Sequence, residues 1–503
     1  MESYFLLIVV FLLWAFYKKL TKNLNVFEER GVPHEKGYPV IGNTATTFGN
    51  KESLQNLFQR FYKNFHNEKI FGFFNGPIVS FVLRDIELIK QITIRDFDSF
   101  VNHDHRFDEK ADALAGRALI SMFDEKWRVM RNILSPVFTS AKMKMMFGTL
   151  SECAQSFIDH FDKKHGKIII DADDIFARFT FDGISTAVLG LEGDCIKNEN
   201  SSLYEMASKT IKPSFSSGMK MVFMIICKPL YVLLKLQFTS KEVVDFFEKN
   251  IIGAMENREK NNLYRADMIQ LLLQIKKGQL QKNDQIDESE LKNFSANVEY
   301  DVKANKTEIE WTKEDFMAQG RIFFTAGADT TKNLLQMTAY ELAKNQEIQK
   351  ELIEEVDSVL STLSGKSVTY EALHKMKFLD QVISETLRYW PPAFLTNREC
   401  SKDYNVDLGN GKKVLIKKGE QVLIPIGAIH RDSRFFENPD TFHPHRFDED
   451  KKGSIIPGSY LPFGYGPRVC IGSRFALMES KLLVFYILSS YTDLWITNVE
   501  SQC

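Results

Sequence analysis

One cysteine lies in a run of residues whose types and spacing suit metal chemistry. The run covers residues 463–472 and reads FGYGPRVCIG, with glycines four residues before Cys470 and two residues after it. A cysteine thiolate is a soft ligand for iron, Arg468 offers a fork of donors for a carboxylate, and glycine lets the backbone approach a flat ligand closely. A haem iron held by an axial thiolate uses all of these features together. The alternative is a buried apolar cysteine, the usual role of a single cysteine in an intracellular protein.

A second run of small and polar residues lies inside a long helical pattern that extends from Phe316 to Asn345. Its centre reads AGADTT, from Ala326 to Thr331. Small side chains let a ligand approach the helix, and a threonine hydroxyl can bond to the carbonyl one turn before it and open the backbone ladder. An acid beside a hydroxyl is a candidate proton relay. The alternative is a packing notch of small residues between two helices.

These two runs resemble two motifs of the cytochrome P450 family. The first resembles the haem-binding signature F-x-x-G-x-R-x-C-x-G, and the second resembles the oxygen-binding groove A-G-x-D/E-T. Three further motifs of the family occur in the family's order: Trp127-x-x-x-Arg131, Glu385-x-x-Arg388, and P-x-x-F-x-P-x-R-F at residues 439–447. The resemblance extends from Gly31 to about Lys481, and residues 119–147 are similar to the insect xenobiotic-metabolising branch of the family.

The resemblance implies a fold that is mainly α-helical with small β-sheets, preceded by an N-terminal membrane anchor helix. It implies that Cys470 is the metal ligand of haem b and that Asp329 and Thr330 are catalytic, as a proton relay. A cluster of Glu385, Arg388 and Arg446 would support the thiolate side of the haem. The remaining residues expected to bind the haem are Trp127, Arg131, Arg398, Phe463, Arg468 and Gly472.

The implied activity is that of a haem-thiolate monooxygenase, which inserts one oxygen atom of O2 into a lipophilic small molecule. The sequence contains no recognisable nucleotide- or flavin-binding motif, so the electrons are expected from NADPH-cytochrome P450 reductase, with cytochrome b5 as a possible further partner. Lys126 and Arg128 are candidates for a basic docking surface. Two alternatives stay open: a relative that rearranges peroxides without a reductase, and a haem-binding protein without turnover. The expected walls of the substrate pocket are Leu119, Phe323, Phe324, Ala326, Thr330, Ala393 and Phe394.

The N-terminus predicts a membrane anchor. Residues 4–17 form an unbroken apolar run that is followed by three lysines within five residues. As a helix, fourteen residues span only about 21 Å, but snorkelling lysines extend such a segment. Positive charge after the run keeps that side in the cytosol, so we expect an anchor at residues 1–20 in the endoplasmic reticulum membrane, the source of microsomes, with the body on the cytosolic face. A cleaved signal peptide is the alternative.

Composition and local patterns limit the possible functions of the chain and predict its domain organisation. A net charge of -2 over 503 residues argues against nucleic acid as a main partner, and no C-x-x-C pair indicates a zinc site or a disulfide framework. We expect a linker with a proline-rich hinge at residues 21–43 and one haem-thiolate domain at residues 44–503. Within that domain, residues 69–83 predict a hairpin, residues 276–310 predict a solvated loop, and the C-terminal β region is expected to be short.

Overall fold

Helices form most of the protein, together with one sheet of four strands and a separate hairpin. The computed structural model describes residues 4, 14, 17–47, 51–104, 107–162, 167–191, 193–211, 215–265, 267–277, 302, 310–409, 411–491 and 493–496. The prediction of a mainly helical fold with small sheets is confirmed.

The α-helices of the described residues are α1 (Val26–Glu29), α2 (Leu54–Asn64), α3 (Ile86–Lys90), α4 (Ala113–Gly116), α5 (Asp124–Leu134), α6 (Ser140–Asp162), α7 (Ala172–Gly183), α8 (Ser202–Ile211), α9 (Phe215–Ile226), α10 (Lys228–Leu233), α11 (Lys241–Phe247), α12 (Gly253–Asn261), α13 (Met268–Lys276), α14 (Lys313–Lys344), α15 (Gln346–Leu363), α16 (Tyr370–Lys375), α17 (Lys377–Tyr389), α18 (Ile426–Ile429) and α19 (Ser473–Ser490). The strands are β1 (Ile70–Asn75), β2 (Ile78–Leu83), β3 (Thr396–Glu399), β4 (Tyr404–Asp407), β5 (Lys413–Ile416) and β6 (Gln421–Ile424). Single π-helical turns at Gln91–Arg95, Ile184–Val188 and Glu248–Ile252 extend α3, α7 and α11.

The longest helix, α14, crosses the interior and packs against α4, α7, α17 and α19. Its start is defined by a capping box, in which the Thr312 side chain accepts from the Asp315 N–H and the Asp315 carboxylate accepts from the Thr312 N–H. This arrangement satisfies backbone donors that have no partner within the helix. The helix predicted from Phe316 to Asn345 is therefore confirmed, and it begins three residues earlier than expected because the cap lies there.

The sheet is ordered β1-β2-β6-β3, with β6 parallel to β2 and antiparallel to β3. The predicted hairpin is confirmed as β1 and β2, which turn at Gly76 with a φ of 61°. Arg398 lies on β3 opposite Val422 of β6. The sheet therefore brings the first third of the chain next to the segment that precedes the Cys470 loop. Strands β4 and β5 form the separate hairpin.

Two parts of the predicted organisation fall largely on residues that the structure does not describe. Of the predicted anchor, only Tyr4, Trp14 and residues 17–20 are described. Within the described residues, none of the helices has both the length and the apolar character needed to cross a lipid bilayer, so the anchor stays a prediction. Most of the predicted loop at 276–310 and the tail from residue 497 also lie outside the described residues.

Candidate active site

The segment that carries Cys470 is a tight loop that leads into α19. Gly464 and Gly466 have φ angles of 85° and 78°, a conformation that glycine adopts without steric cost. A Cβ atom on Gly466 would lie 2.1 Å from the carbonyl oxygen of Thr93, so the backbone approach requires glycine. The Cys470 N–H donates to the Phe463 carbonyl at 2.9 Å, which closes the loop. The aromatic side chain of Phe463 packs at the edge of the main core.

The sulfur of Cys470 faces an internal space, which we call the inner chamber. Its side chain is accessible to water, yet burial among protein atoms raises the pKa of the thiol. A side chain that is both accessible and desolvated lies on the wall of an enclosed space. The Gly472 N–H donates to the sulfur, and the positive charge of Arg131 acts on it, and both lower the thiol pKa. Gly472 is also the N-cap of α19, where the helix dipole favours a thiolate.

Arg398 is a buried cation without a carboxylate partner among the described residues. Its side chain is 1% exposed and donates to the carbonyls of Asn397 at 2.7 Å and Tyr465 at 3.1 Å. The Arg398 Nε has no partner in the described part of the chain. Desolvation lowers the pKa of Arg398 to about 10. Because a buried cation without a counter-ion is costly, this position is suited to an anionic group.

Arg468 is a second buried cation in the same region. Its guanidinium donates to backbone carbonyls, and the guanidinium carbon lies 3.8 Å from the ring centroid of Trp127. Desolvation, followed by repulsion from Arg398 and Arg131, holds the pKa of Arg468 well below its usual range. No described carboxylate forms an ion pair with Arg468, although Asp124 acts on it from a greater distance. The structure thus brings three of the predicted cations and the indole close together, and among the described residues Arg398 and Arg468 form no ion pair with a carboxylate.

Asp329 and Thr330 lie at the centre of α14, but their side chains point in different directions. The Thr330 hydroxyl donates to the Ala326 carbonyl at 2.7 Å, and both residues are exposed. The predicted bond from a threonine to the preceding turn is therefore present. Asp329 lies about 100° around the helix from Thr330 and pairs with Lys332 at 3.4 Å. Lys332 also pairs with Asp173 of α7 at 2.7 Å, so the Asp329 carboxylate belongs to an ion network.

The predicted support cluster forms between α17 and the segment that precedes the Cys470 loop. Glu385 and Arg388 are fully buried and make two hydrogen bonds of 2.7 Å and 2.8 Å. Arg446 donates to Glu385 at 3.2 Å, and Arg388 also donates to the His430 carbonyl at 2.8 Å. Each charge in this cluster has a partner, so its role is to join the two segments.

Three of the expected pocket walls are packed in the core, namely Leu119, Phe323 and Phe324. Phe324 is fully buried and its ring lies 5.3 Å from that of Phe181, because its position on α14 faces α7. Leu119 is also buried, whereas Ile120 is 55% exposed. The Leu119 N–H donates to the side-chain oxygen of Gln319 on α14 at 3.0 Å. This turn therefore lies against α14 and presents Ile120 as its exposed side chain.

The two residues proposed for a basic docking surface both have acidic neighbours. Lys126 pairs with Asp315 at 3.2 Å and with Glu109 at 3.6 Å. Arg128 pairs with Asp98 at 2.7 Å. These pairs reduce the positive charge that either residue presents, and the docking role of the two stays a prediction.

Sequence reasoning does not find His103, which lies close to the buried arginines. Its Nδ1 is 3.0 Å from the Asn397 carbonyl oxygen. Burial, with repulsion from Arg398 and Arg468, holds the pKa of His103 well below its usual value, so the imidazole is neutral and can donate one hydrogen bond. No motif marks this residue, because its partner lies 294 positions away in the chain.

Comparisons with known proteins agree with this geometry. The family model of cytochrome P450 matches residues 32–497. The chain is 37% identical to "Probable cytochrome P450 9f2" of Drosophila melanogaster over 486 residues, which cover 95% of this chain and 90% of the relative. It is 35% identical to "Cytochrome P450 9e2" of Blattella germanica over 489 residues, 94% of this chain and 88% of the relative. It is also 32% identical to "Cytochrome P450 6a9" of Drosophila melanogaster over 481 residues, 95% of this chain and 90% of the relative.

Proposed function

Since this chain belongs to the cytochrome P450 family of haem-thiolate monooxygenases, we propose that it inserts one oxygen atom of O2 into a lipophilic small molecule. The electrons are supplied by NADPH-cytochrome P450 reductase, with cytochrome b5 as a second donor. One observation carries the proposal: an accessible sulfur at a helix N-terminus lies beside two buried arginines that have no carboxylate partner among the described residues. A group with a soft metal at its centre and anionic substituents at its edge fits that set of residues.

The residues of the site fit haem b, which supplies the activation of O2 when it is bound. Cys470 would hold the haem iron through its sulfur, and the Gly472 N–H would stabilise the thiolate. Arg398 and Arg468 would bind the two propionates by charge-assisted hydrogen bonds, which would also remove the cost of leaving the two cations unpaired. Arg131 and the Trp127 indole complete this group of donors.

The chain's own contribution to proton transfer lies on α14. Thr330 presents its hydroxyl to the inner chamber while it donates to the Ala326 carbonyl at 2.7 Å, so its oxygen is available as an acceptor for a proton donor. Asp329 exchanges its bond to Lys332 for a bond to water and thereby carries protons from the ion network toward Thr330. A long, partly exposed pair of this kind is weak enough to exchange readily.

The protein is proposed to work at the cytosolic face of the endoplasmic reticulum membrane, anchored by residues 1–20. Exposed apolar side chains on the α9–α10 segment support this location, since Met219, Leu233 and Leu234 are each more than half exposed. Burial of such an apolar surface in the lipid interface is favourable, because it removes the side chains from water. A lipophilic substrate would then reach the inner chamber from the membrane.

The test is the visible spectrum of the reduced protein with carbon monoxide. A thiolate ligand gives a strongly red-shifted Soret band, and Cys470→Ala should abolish that band, whereas Cys400→Ala is the matched control that should leave it unchanged. An unchanged band in Cys470→Ala contradicts the proposed ligand. Turnover that needs NADPH and the reductase supports the monooxygenase. Reductase-independent conversion of hydroperoxides, or a normal band without any turnover, would favour the two alternative functions.

A further inference from the structure

The separate hairpin of β4 and β5 carries a group of positive charges that the proposed function does not use. Five lysines occur between residues 402 and 418, against three acidic residues in the segment 402–420, while the whole chain has a net charge of -2. All five lysines are exposed, and none of them forms an ion pair with a described residue. We call the segment 402–420 the lysine hairpin. Its lysines are Lys402, Lys412, Lys413, Lys417 and Lys418.

The three carboxylates of the lysine hairpin have other partners. Asp403 and Asp407 each accept from a backbone N–H of the hairpin, at 2.9 Å and 2.8 Å. Glu420 pairs with Arg30 at 2.6 Å. Asp407 lies opposite Lys413 in the strand register, yet these two described side chains form no ion pair. The lysine ammonium groups therefore face the surroundings without a fixed counter-ion, and the hairpin together with Arg30 has a net charge of +3.

The lysine hairpin lies close to the point where the chain leaves the proposed membrane anchor. The inward side chains of β4 and β5 belong to the same apolar cluster as Phe27 of α1. Arg30, which directly follows α1, donates to the Leu415 carbonyl of β5 at 2.8 Å. Arg30 is ten residues from Leu20, the last residue of the proposed anchor, and ten residues reach at most about 36 Å. The hairpin is therefore held near the bilayer surface at which the anchor ends.

An edge strand of the sheet joins the lysine hairpin to the apolar α9–α10 segment. The Nζ of Lys69, the residue before β1, donates to the Leu408 carbonyl of the hairpin at 3.1 Å. At the other end of β1, a Cβ atom on Gly76 would lie 3.3 Å from Ile225 of α9. Strand β1 has six residues, which span about 20 Å. The charged and the apolar parts thus lie about one strand length apart along the same edge of the sheet, which suits simultaneous contact with one lipid surface.

We propose that the lysine hairpin binds anionic lipid headgroups of the membrane and thereby sets the orientation of the catalytic domain on its anchor. This inference rests on the membrane location proposed above and adds the class of lipid. Lysines near an anionic leaflet are attracted to it within a Debye length, about 8 Å at physiological ionic strength. A single anchor helix leaves the domain free to rotate about the linker. A second, charged contact removes that freedom while the α9–α10 segment enters the lipid interface.

The test uses the full-length haem protein reconstituted in two kinds of vesicle, one of phosphatidylcholine alone and one that also contains phosphatidylserine. A water-soluble reagent acetylates accessible lysines, and mass spectrometry gives the rate at each of them. The five hairpin lysines should react several-fold more slowly on the anionic vesicles. About 1 M salt should remove the difference, because the Debye length then falls to about 3 Å. Lys350 and Lys366 are matched controls, since they are exposed and form no ion pair with a described residue, and they should react equally on both vesicles.

A triple variant tests the contribution of the charge itself. Lys412→Gln, Lys413→Gln and Lys417→Gln together should largely abolish the protection of the two remaining hairpin lysines on anionic vesicles. The control variant, Lys350→Gln with Lys366→Gln, should leave that protection unchanged. All of these side chains are exposed, so both variants should keep the melting temperature of the wild type.

Equal labelling of the hairpin on the two kinds of vesicle would overturn the proposal, and so would protection that survives high salt or the triple variant. Protection that requires added reductase instead of anionic lipid would also overturn it and would assign the hairpin to a protein partner. Failure of the anchor gives a different result, because the protein would then not float with phosphatidylcholine vesicles, while protection on the anionic vesicles is scored separately. A normal reduced carbon monoxide spectrum shows that the haem-thiolate function is intact in each variant.

Discussion

Replacing Arg398 by glutamine should have opposite effects on the protein with and without haem. In the protein alone, Arg398 is a buried cation whose hydrogen-bond partners among the described residues are two backbone carbonyls and a threonine hydroxyl. Removing the charge therefore removes a desolvation cost. In the haem protein the same charge is proposed to bind a propionate, so its removal should weaken cofactor binding.

The magnitudes follow from the environment of Arg398. Desolvation lowers its pKa to about 10, and a fall of that size corresponds to roughly 3 kcal/mol. This cost is complete below pH 10, where the group is protonated in the folded and unfolded states, and it declines only above that pH. The two hydrogen bonds to Asn397 and Tyr465 are worth about 1 kcal/mol each. Arg398→Gln should thus stabilise the haem-free protein by about 1 kcal/mol, while the loss of a charged hydrogen bond should lower haem affinity roughly ten- to a hundredfold.

The assay is urea unfolding of the haem-free and haem-bound proteins, combined with a haem-transfer measurement of cofactor affinity. Arg388→Gln is the matched control, because Arg388 is equally buried but pairs with Glu385. Breaking that pair leaves a buried carboxylate alone, so both forms should lose about 3–5 kcal/mol. If Arg398→Gln instead destabilises both forms and leaves haem affinity unchanged, the role of Arg398 is to satisfy backbone carbonyls, and the reasoning is wrong.

Three further perturbations have defined outcomes. Gly466→Ala should cost about 1–3 kcal/mol from the positive φ alone and more from contact with the Thr93 carbonyl, and we expect a lower melting temperature and little haem incorporation. Burial holds the pKa of Glu479 on α19 well above its usual range, so the folded state keeps a proton that the unfolded state releases. The free energy of unfolding should therefore fall as pH rises above the ordinary carboxyl pKa, by up to about 1.4 kcal/mol per pH unit. Glu479→Gln should flatten that dependence in urea unfolding between pH 5 and 8, and an equally steep curve would contradict this account. Thr330→Val keeps the volume but removes the hydroxyl, so product formed per NADPH consumed should fall while the reduced carbon monoxide spectrum stays unchanged; undiminished coupling would argue against a proton role.

Local signals in the sequence predicted much of the architecture. The hairpin at residues 69–83 follows from two β-rich runs around a turn, and the helix at 316–345 follows from its apolar period, since both patterns depend on neighbouring residues. The start of α14 was misplaced by three residues, because the cap at Thr312 lies in a polar segment without helical periodicity. Phe324 and Leu119 were assigned to the pocket, although the fold turns both toward the core.

The sequence by itself determined the family and predicted the sulfur ligand, because the residues around Cys470 are contiguous and their chemistry does not depend on distant contacts. Only the tertiary structure decided which cations are free to bind an anion. Arg398 and Arg468 lack a carboxylate partner among the described residues, whereas Lys126 has one. The physical reason is that burial and pairing depend on side chains that lie far apart in the chain and meet only when the helices and the sheet pack together.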